Sequence, residues 1–143
     1  MSYTNFTLDI DADGIALVTW DMPDRSMNVF TEEVMRELGA IVDKVAGDAA
    51  IKGAVVTSGK DTFSGGADLS MLQKMLGTFA AESRKDRAKA TQTLFETAGY
   101  MSHLFRRLET CGKPWVAAIN GTCMGGAFEL SLACHGRVAA NSE

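Results

Sequence analysis

The chain has 143 residues, 46% of them hydrophobic and 22% charged, with a formal net charge of −4. That length suits one domain with a core of its own, and the mildly acidic balance gives no general attraction for nucleic acid, which is not expected as a partner. The longest apolar runs fall far short of the ~20 residues of a membrane-spanning helix, and MSYTNFTLDIDADG lacks the basic and apolar regions of an export signal, so a cytoplasmic location is expected.

In chain order, Phe6-Thr-Leu-Asp-Ile10 and Ile15-Ala-Leu-Val-Thr-Trp20 read as two strands of one sheet, with Asp11-Ala-Asp-Gly14 as a glycine-containing hairpin turn. Thr31 is placed to cap a helix running to about Ala46. Glu32 and Glu33 occupy its first turn, and Val34, Leu38, Ile41, Val42 and Val45 form the buried stripe. Gly53 to Ser58 reads as a strand, followed by the glycine loop of Thr62-Phe-Ser-Gly-Gly-Ala-Asp-Leu69 and a helix from Asp68 to Leu76. A long helix is predicted from about Ala88 to Leu108, with Leu94, Phe95, Ala98, Met101, Leu104, Phe105 and Leu108 on one side. The polar run Ser83 to Lys89 reads as a solvated face. Trp115-Val-Ala-Ala-Ile119, bounded by Pro114 and Asn120-Gly121, reads as a buried strand, and Gly125-Gly126 then opens an apolar helix to Cys134. Strand, strand and helix in repeated order predict a mixed α/β fold, with no sequence repeat or flexible linker.

Several motifs fail on spacing. Cys111, Cys123 and Cys134 form no CxxC, and an odd count without a secretion signal indicates reduced thiols. His103 and His135 stand apart from each other and from any ligand spacing, so no metal is expected. Gly121 to Ala127 follows a strand and opens a helix but lacks the GxGxxG order of a dinucleotide site, and no following strand with its acid is visible. Gly59-Lys60 resembles the end of a phosphate-binding loop, yet Asp61 stands where Ser or Thr is required.

The most informative side chain is Glu129, the single acid of an apolar helix. With no polar face to keep it in water, it is expected to be buried or in a cleft, where an unpartnered carboxylate acquires a raised pKa suited to proton transfer. A glutamate that caps a loop or pairs with an arginine is the alternative. A helix beginning at Gly126 directs free N–H groups and the positive end of its dipole beyond the turn, where an oxyanion can bind. Gly126 and Glu129 lie three residues apart, on the same side of the first turn. The loop holding Gly65 and Gly66 repeats this logic, making the N–H of Ala67 a second candidate donor.

FSGGADL together with AAINGTCMGGAFELSLAC closely resembles the two signature segments of the crotonase superfamily, the enoyl-CoA hydratase/isomerase family. The resemblance implies a spiral of ββα turns and an oxyanion hole for an acyl-CoA thioester made by the N–H groups of Ala67 and Gly126. It implies that Glu129 is one of two catalytic glutamates, and that Gly65, Gly66, Asp68, Leu69 and Gly125 line the substrate site. It also implies that the segment Arg25, Ser26, Met27 and Asn28 seats the CoA moiety, with Arg25 toward a phosphate; a solvated arginine is the alternative. Coenzyme A then enters as part of the substrate, with no tightly bound cofactor. The charged stretch Glu82 to Glu109 looks like the N-terminal region of fatty-acid oxidation multifunctional alpha subunits.

The hydratases carry a second catalytic glutamate further along, in a Pro-Glu segment. Glu143 sits too early and lacks the Pro, so the role is not carried onto it. Residues 1–143 are accordingly expected to be the N-terminal portion of a crotonase-like acyl-CoA-binding domain, truncated before its C-terminal part, with apolar surface left bare and little or no activity alone. The expected function of the complete protein is enoyl-CoA hydration in fatty-acid β-oxidation, as a homo-oligomer or within a β-oxidation complex. Double-bond isomerisation and an inert acyl-CoA-binding fragment are the alternatives.

Overall fold

The computed structural model describes residues 2–141. Its elements are β1 (Phe6–Ile10), β2 (Ile15–Trp20), α1 (Glu32–Gly47), β3 (Gly53–Ser58), α2 (Leu69–Ser83), α3 (Arg87–Glu109), β4 (Trp115–Ile119), α4 (Gly126–Ala133) and β5 (Gly136–Ala139). They build one five-stranded sheet in the order β1-β2-β3-β4-β5. The first pair is antiparallel, with Leu8 opposite Val18, and the remaining pairs are parallel, with Leu17 beside Val55 and Val55 beside Val116. The hairpin turn forms because Gly14 adopts a φ of 84°, while the Asp11 carboxylate accepts from the N–H groups of Asp13 and Ile15 at 3.0 and 2.8 Å.

One face of the sheet and the helices share the core. Ala16, Val18 and Trp20 alternate inward along β2, against the stripe Val34, Leu38, Ile41, Val42 and Val45 of α1 and Leu104, Phe105 and Leu108 of α3. Phe30 joins these layers, its ring centroid 4.7 Å from Trp20 and 5.8 Å from Phe105. The Thr31 hydroxyl caps α1 by accepting from Val34 N at 3.1 Å. Buried Glu37 of that helix holds the chain start, accepting from the N–H groups of Thr4 and Asn5 at 2.8 and 2.9 Å.

Asn28 is the knot that positions the loops over the sheet's C-terminal edge. Fully buried, it accepts from Met22 N at 3.0 Å and donates to Trp20 O at 2.8 Å and Ser58 Oγ at 2.9 Å. Its side chain is committed to the fold. Asn28→Ala leaves these buried groups unpaired and is expected to cost about 2 to 3 kcal/mol, read as a lower urea midpoint at unchanged slope.

Three departures from the expected elements have clear causes. Helix α2 continues past Leu76 to Ser83, because Gly77 only weakens a helix and no breaker follows. The long helix expected over about 88–108 runs Arg87–Glu109: the chain turns at 84–86, and the Asp86 carboxylate caps α3 by accepting from Lys89 N at 3.0 Å. The apolar side expected of α3 is buried only near its C-terminal end; Phe95 is 75% exposed and Ala98 is exposed as well. Strand β5, absent from the expected elements, is short and mostly exposed, and it extends the parallel ladder with Ala117 beside Arg137.

Candidate functional site

Two glycine turns meet above the sheet, one entering α2 and the other entering α4. Ser64 pairs with the second turn, its N–H donating to Thr122 O at 3.0 Å and its carbonyl accepting from Met124 N at 3.1 Å. On the other side of the first turn, Phe30 N donates to Gly66 O at 2.7 Å and Asp68 N to Phe30 O at 3.0 Å. Gly66 has a φ of 88°, and a Cβ there would stand 2.8 Å from Met124 O and 3.4 Å from Gly125 Cα. Only glycine satisfies both the backbone and the approach. Gly125 adopts a φ of 51°, and Gly65 lies against Met27, where a Cβ would fall 2.6 Å from the Met27 sulfur.

The contact brings Ala67, Gly126 and Glu129 onto the wall of one cavity of about 350 Å³. Gly126 opens α4, so its N–H has no partner within the helix. Among the described residues neither the Gly126 N–H nor the Ala67 N–H meets a hydrogen-bond acceptor, although both flank peptide groups that are bonded. Two residues with acceptor-less backbone N–H groups and one with an unpaired carboxylate therefore line the same cavity.

Glu129 itself is exposed at the cavity wall, not buried. Helix α4 buries Gly126, Ala127, Leu130 and Ser131 on one side, while Phe128 and Leu132 on the other side are 50% and 55% exposed. The apolar composition around Glu129 thus does not translate into apolar burial. No hydrogen bond or ion pair engages its carboxylate among the described residues, so it neither caps a loop nor pairs with an arginine.

Arg25 is tied to the fold at one nitrogen, its Nη1 lying 2.9 Å from Asp68 Oδ2, while its side chain is 47% exposed. Asp68 is 7% exposed and caps α2, accepting from Ser70 N at 2.8 Å, Met71 N at 3.1 Å and the Ser70 hydroxyl. Its oxygens are occupied by the cap and the ion pair. Ser26 is exposed, and Leu69 points outward with 74% exposure, away from the cavity wall.

The Ser70 hydroxyl first, then the Met71 and Ser70 N–H groups and Arg25, hold the Asp68 carboxyl below its usual 3.8. A depressed folded-state pKa stabilises the fold above the unfolded value, and that contribution is lost as pH falls through the folded value. Asp68→Asn, which keeps capping capacity but cannot titrate, is therefore expected to flatten the acid limb of stability between pH 5 and about 3. Urea unfolding at both pH values checks this; an acid limb as steep as the parent's counts against it.

The remaining motifs are structural. Burial pushes the Cys134 thiol up to about 12, so it stays protonated. Lys60 Nζ binds Asp21 Oδ1 at 2.7 Å and Met22 O at 2.8 Å, leaving it unsuited to a phosphate. His135 accepts at Nδ1 from Trp115 N at 3.1 Å. Strand β5 supplies the strand that the dinucleotide comparison lacked, and no acid follows it among the described residues; Glu143 lies outside them. Among the described residues no helix is long and apolar enough to cross a membrane, and no group of three or more His, Cys, Asp or Glu is placed to hold a metal.

Sequence reasoning did not assign the rest of the cavity wall. Met71, Met75 and Phe79 of α2 face Leu94 and Met101 of α3 across it. The four-residue spacing on α2 was the available signal, and Leu94 and Met101 had been absorbed into an expected core stripe.

Comparison with known proteins agrees with this geometry. The chain is 42% identical over 138 residues to the fatty acid oxidation complex subunit alpha of Shewanella amazonensis, and 36% identical over 138 residues to that of Idiomarina loihiensis. Each alignment covers 96% of this chain and 18% of the relative, so the chain spans under a fifth of the length of these curated relatives. The crystal structure of an enoyl-CoA hydratase/isomerase from Xanthobacter autotrophicus Py2 superposes with a TM-score of 0.74 at 30% identity, over 96% of this chain and 46% of that one. An enoyl-CoA hydratase/carnithine racemase from Magnetospirillum magneticum gives 0.78 at 25% identity, over 99% of this chain and 48% of that one. The profile of the family described as enoyl-CoA hydratase/isomerase matches residues 11–143. With paired glycine turns, a sheet wound in chain order and a family match over nearly its whole length, the chain belongs to the enoyl-CoA hydratase/isomerase family and has the crotonase fold.

Proposed function

We propose that residues 1–143 form the N-terminal part of an acyl-CoA-binding domain whose complete protein hydrates 2-enoyl-CoA thioesters in fatty-acid β-oxidation. The observation that carries this reading is the meeting of two acceptor-less N–H groups, those of Ala67 and Gly126, with the Glu129 carboxylate on one cavity wall. As water adds to C3 of the enoyl group, negative charge builds on the thioester oxygen, and two fixed donors stabilise it there. Glu129 moves the proton between water and substrate. Gly65, Gly66 and Gly125 act by letting the two turns approach. Arg25 and Met27 brace the first turn, and coenzyme A enters only as part of the thioester.

Double-bond isomerisation is the second reading. A single carboxylate beside an oxyanion site can carry a proton between C2 and C4, and Glu129 meets that requirement without a second acid. A cytoplasmic location and assembly as a homo-oligomer or into a β-oxidation complex belong to the same proposal, and the names of the alpha-subunit relatives support the latter.

The test is the product of the complete gene with crotonyl-CoA and, separately, 3-hexenoyl-CoA. Loss of the conjugated-thioester absorbance with the first supports hydration. A gain with the second alone supports isomerisation, and no change with either overturns both.

A further inference from the structure

The two backbone donors stand on unequal supports. Gly126 opens α4, which seats Gly126, Ala127, Leu130 and Ser131 in the core, whereas Ala67 leads into α2, a 15-residue helix without one buried residue. Packing holds the first donor, and hydrogen bonds must hold the second. In a trans peptide the C=O and the following N–H point in opposite directions, so the bond from Phe30 N to Gly66 O aims the Ala67 N–H away from Phe30. The next peptide is fixed by Asp68 N, which donates to Phe30 O, and by the Asp68 side chain. The two carboxylate oxygens divide that task. Oδ1 accepts from the Ser70 and Met71 N–H groups and the Ser70 hydroxyl, while Oδ2 meets Arg25 alone among the described residues.

The loop that carries Arg25 is shaped to reach this oxygen. Asp24 adopts a φ of 57°, the only positive φ outside glycine among the described residues, and turns the chain directly before Arg25. Buried Asn28 fixes the loop from both sides, its Oδ1 accepting from Met22 N at 3.0 Å and its carbonyl from Gly65 N at 2.9 Å. We propose that Arg25 is a positioning residue for the reaction: by holding Asp68 Oδ2 it fixes the first turn of α2 and, through it, the aim of the Ala67 N–H at the thioester oxygen. This rests on the acyl-CoA reading above and adds to it a residue that acts on the rate without touching the reacting atoms. Without the guanidinium, the buried Oδ2 loses its partner, the carboxylate is free to rotate out of the cap, and α2 has no core contact to keep its first turn in place. A donor stabilises developing charge only if it is aimed before the reaction, so a loosened N–H lowers rate more than affinity.

The test compares Arg25→Gln with the parent, both as complete gene products, on crotonyl-CoA and on crotonyl-pantetheine, which has the same thioester but lacks the nucleotide phosphates. Losing a donor outright costs about 100-fold to 1,000-fold, and a loosely aimed donor keeps part of its effect, so kcat is expected to fall about tenfold on both substrates. KM should stay within about threefold, since ground-state binding is largely retained. Difference infrared spectra of the bound thioester read the donors directly: its C=O stretch, lowered by hydrogen bonding in the parent, should move back toward the free value in the variant. A loss confined to crotonyl-CoA and seated in KM makes Arg25 a phosphate contact and overturns the positioning role. An unchanged kcat, an unshifted C=O stretch, or a variant that fails to fold by circular dichroism overturns it too, and each of these leaves the acyl-CoA reading in place. If the parent hydrates neither thioester, the hydration reading and the positioning role fall together.

Discussion

In the complete gene product, Glu129→Gln is expected to lower kcat for crotonyl-CoA by about 100-fold to 10,000-fold, the range a positioned acid/base group contributes. Acyl-CoA affinity should stay within a few fold, because the amide keeps the shape of the carboxylate and both backbone donors remain. Since no hydrogen bond or ion pair engages Glu129 among the described residues, the substitution breaks no contact of the fold, and the urea midpoint should hold. Stopped-flow turnover and calorimetric binding separate the two effects. Normal turnover by the folded variant would remove Glu129 from the chemistry.

Gly126→Pro is expected to lower the rate by about 100-fold to 1,000-fold through loss of one oxyanion donor. Proline is tolerated at the first position of a helix, and the N–H removed there meets no acceptor in the fold, so stability should fall less than rate. A Cβ at this position approaches the Met101 sulfur at 3.0 Å and a Phe30 ring carbon at 3.3 Å. The thioether can yield, but buried Phe30 has less freedom. Gly126→Ala is the matched control, adding the same Cβ while keeping the N–H. A proline variant no slower than the alanine variant would show that crowding, not the donor, accounts for the loss.

What the residues disclosed in advance follows a physical division between local and non-local causes. Strands β1 to β4 were legible to the residue because apolar alternation or a short apolar run is bounded each time by Gly, Pro or a turn. The buried stripe of α1 was legible for the same reason: its period is local. Strand β5 was not, since Gly-Arg-Val-Ala has neither length nor alternation and is recruited only because β4 offers an edge. The start of α3 fell within a residue of its expected place, whereas the end of α2 at Ser83 rather than Leu76 had no local marker. In the site, the glycines announced the turns, whereas the Arg25–Asp68 pair joins residues 43 positions apart and has no local signature. Of the two placements expected of Glu129, buried or in a cleft, the second is found, because α4 buries only the side that carries Gly126, Ala127, Leu130 and Ser131.

The order of the strands has a consequence for how the chain is made. Because position in the sheet follows position in the sequence, each strand leaving the ribosome finds its partner already formed, and no early strand must wait for a late one to be inserted beside it. The β1–β2 hairpin supplies the local nucleus, and β3 can dock as soon as α1 has closed over the growing sheet. The costly closure is that of β4 onto β3, which spans the whole α2–α3 hairpin. Synthesis from the N-terminus is therefore expected to leave β3 with a bare edge for the time needed to translate that hairpin, and this interval is where a nascent-chain chaperone or a slowed codon would have the greatest effect on yield.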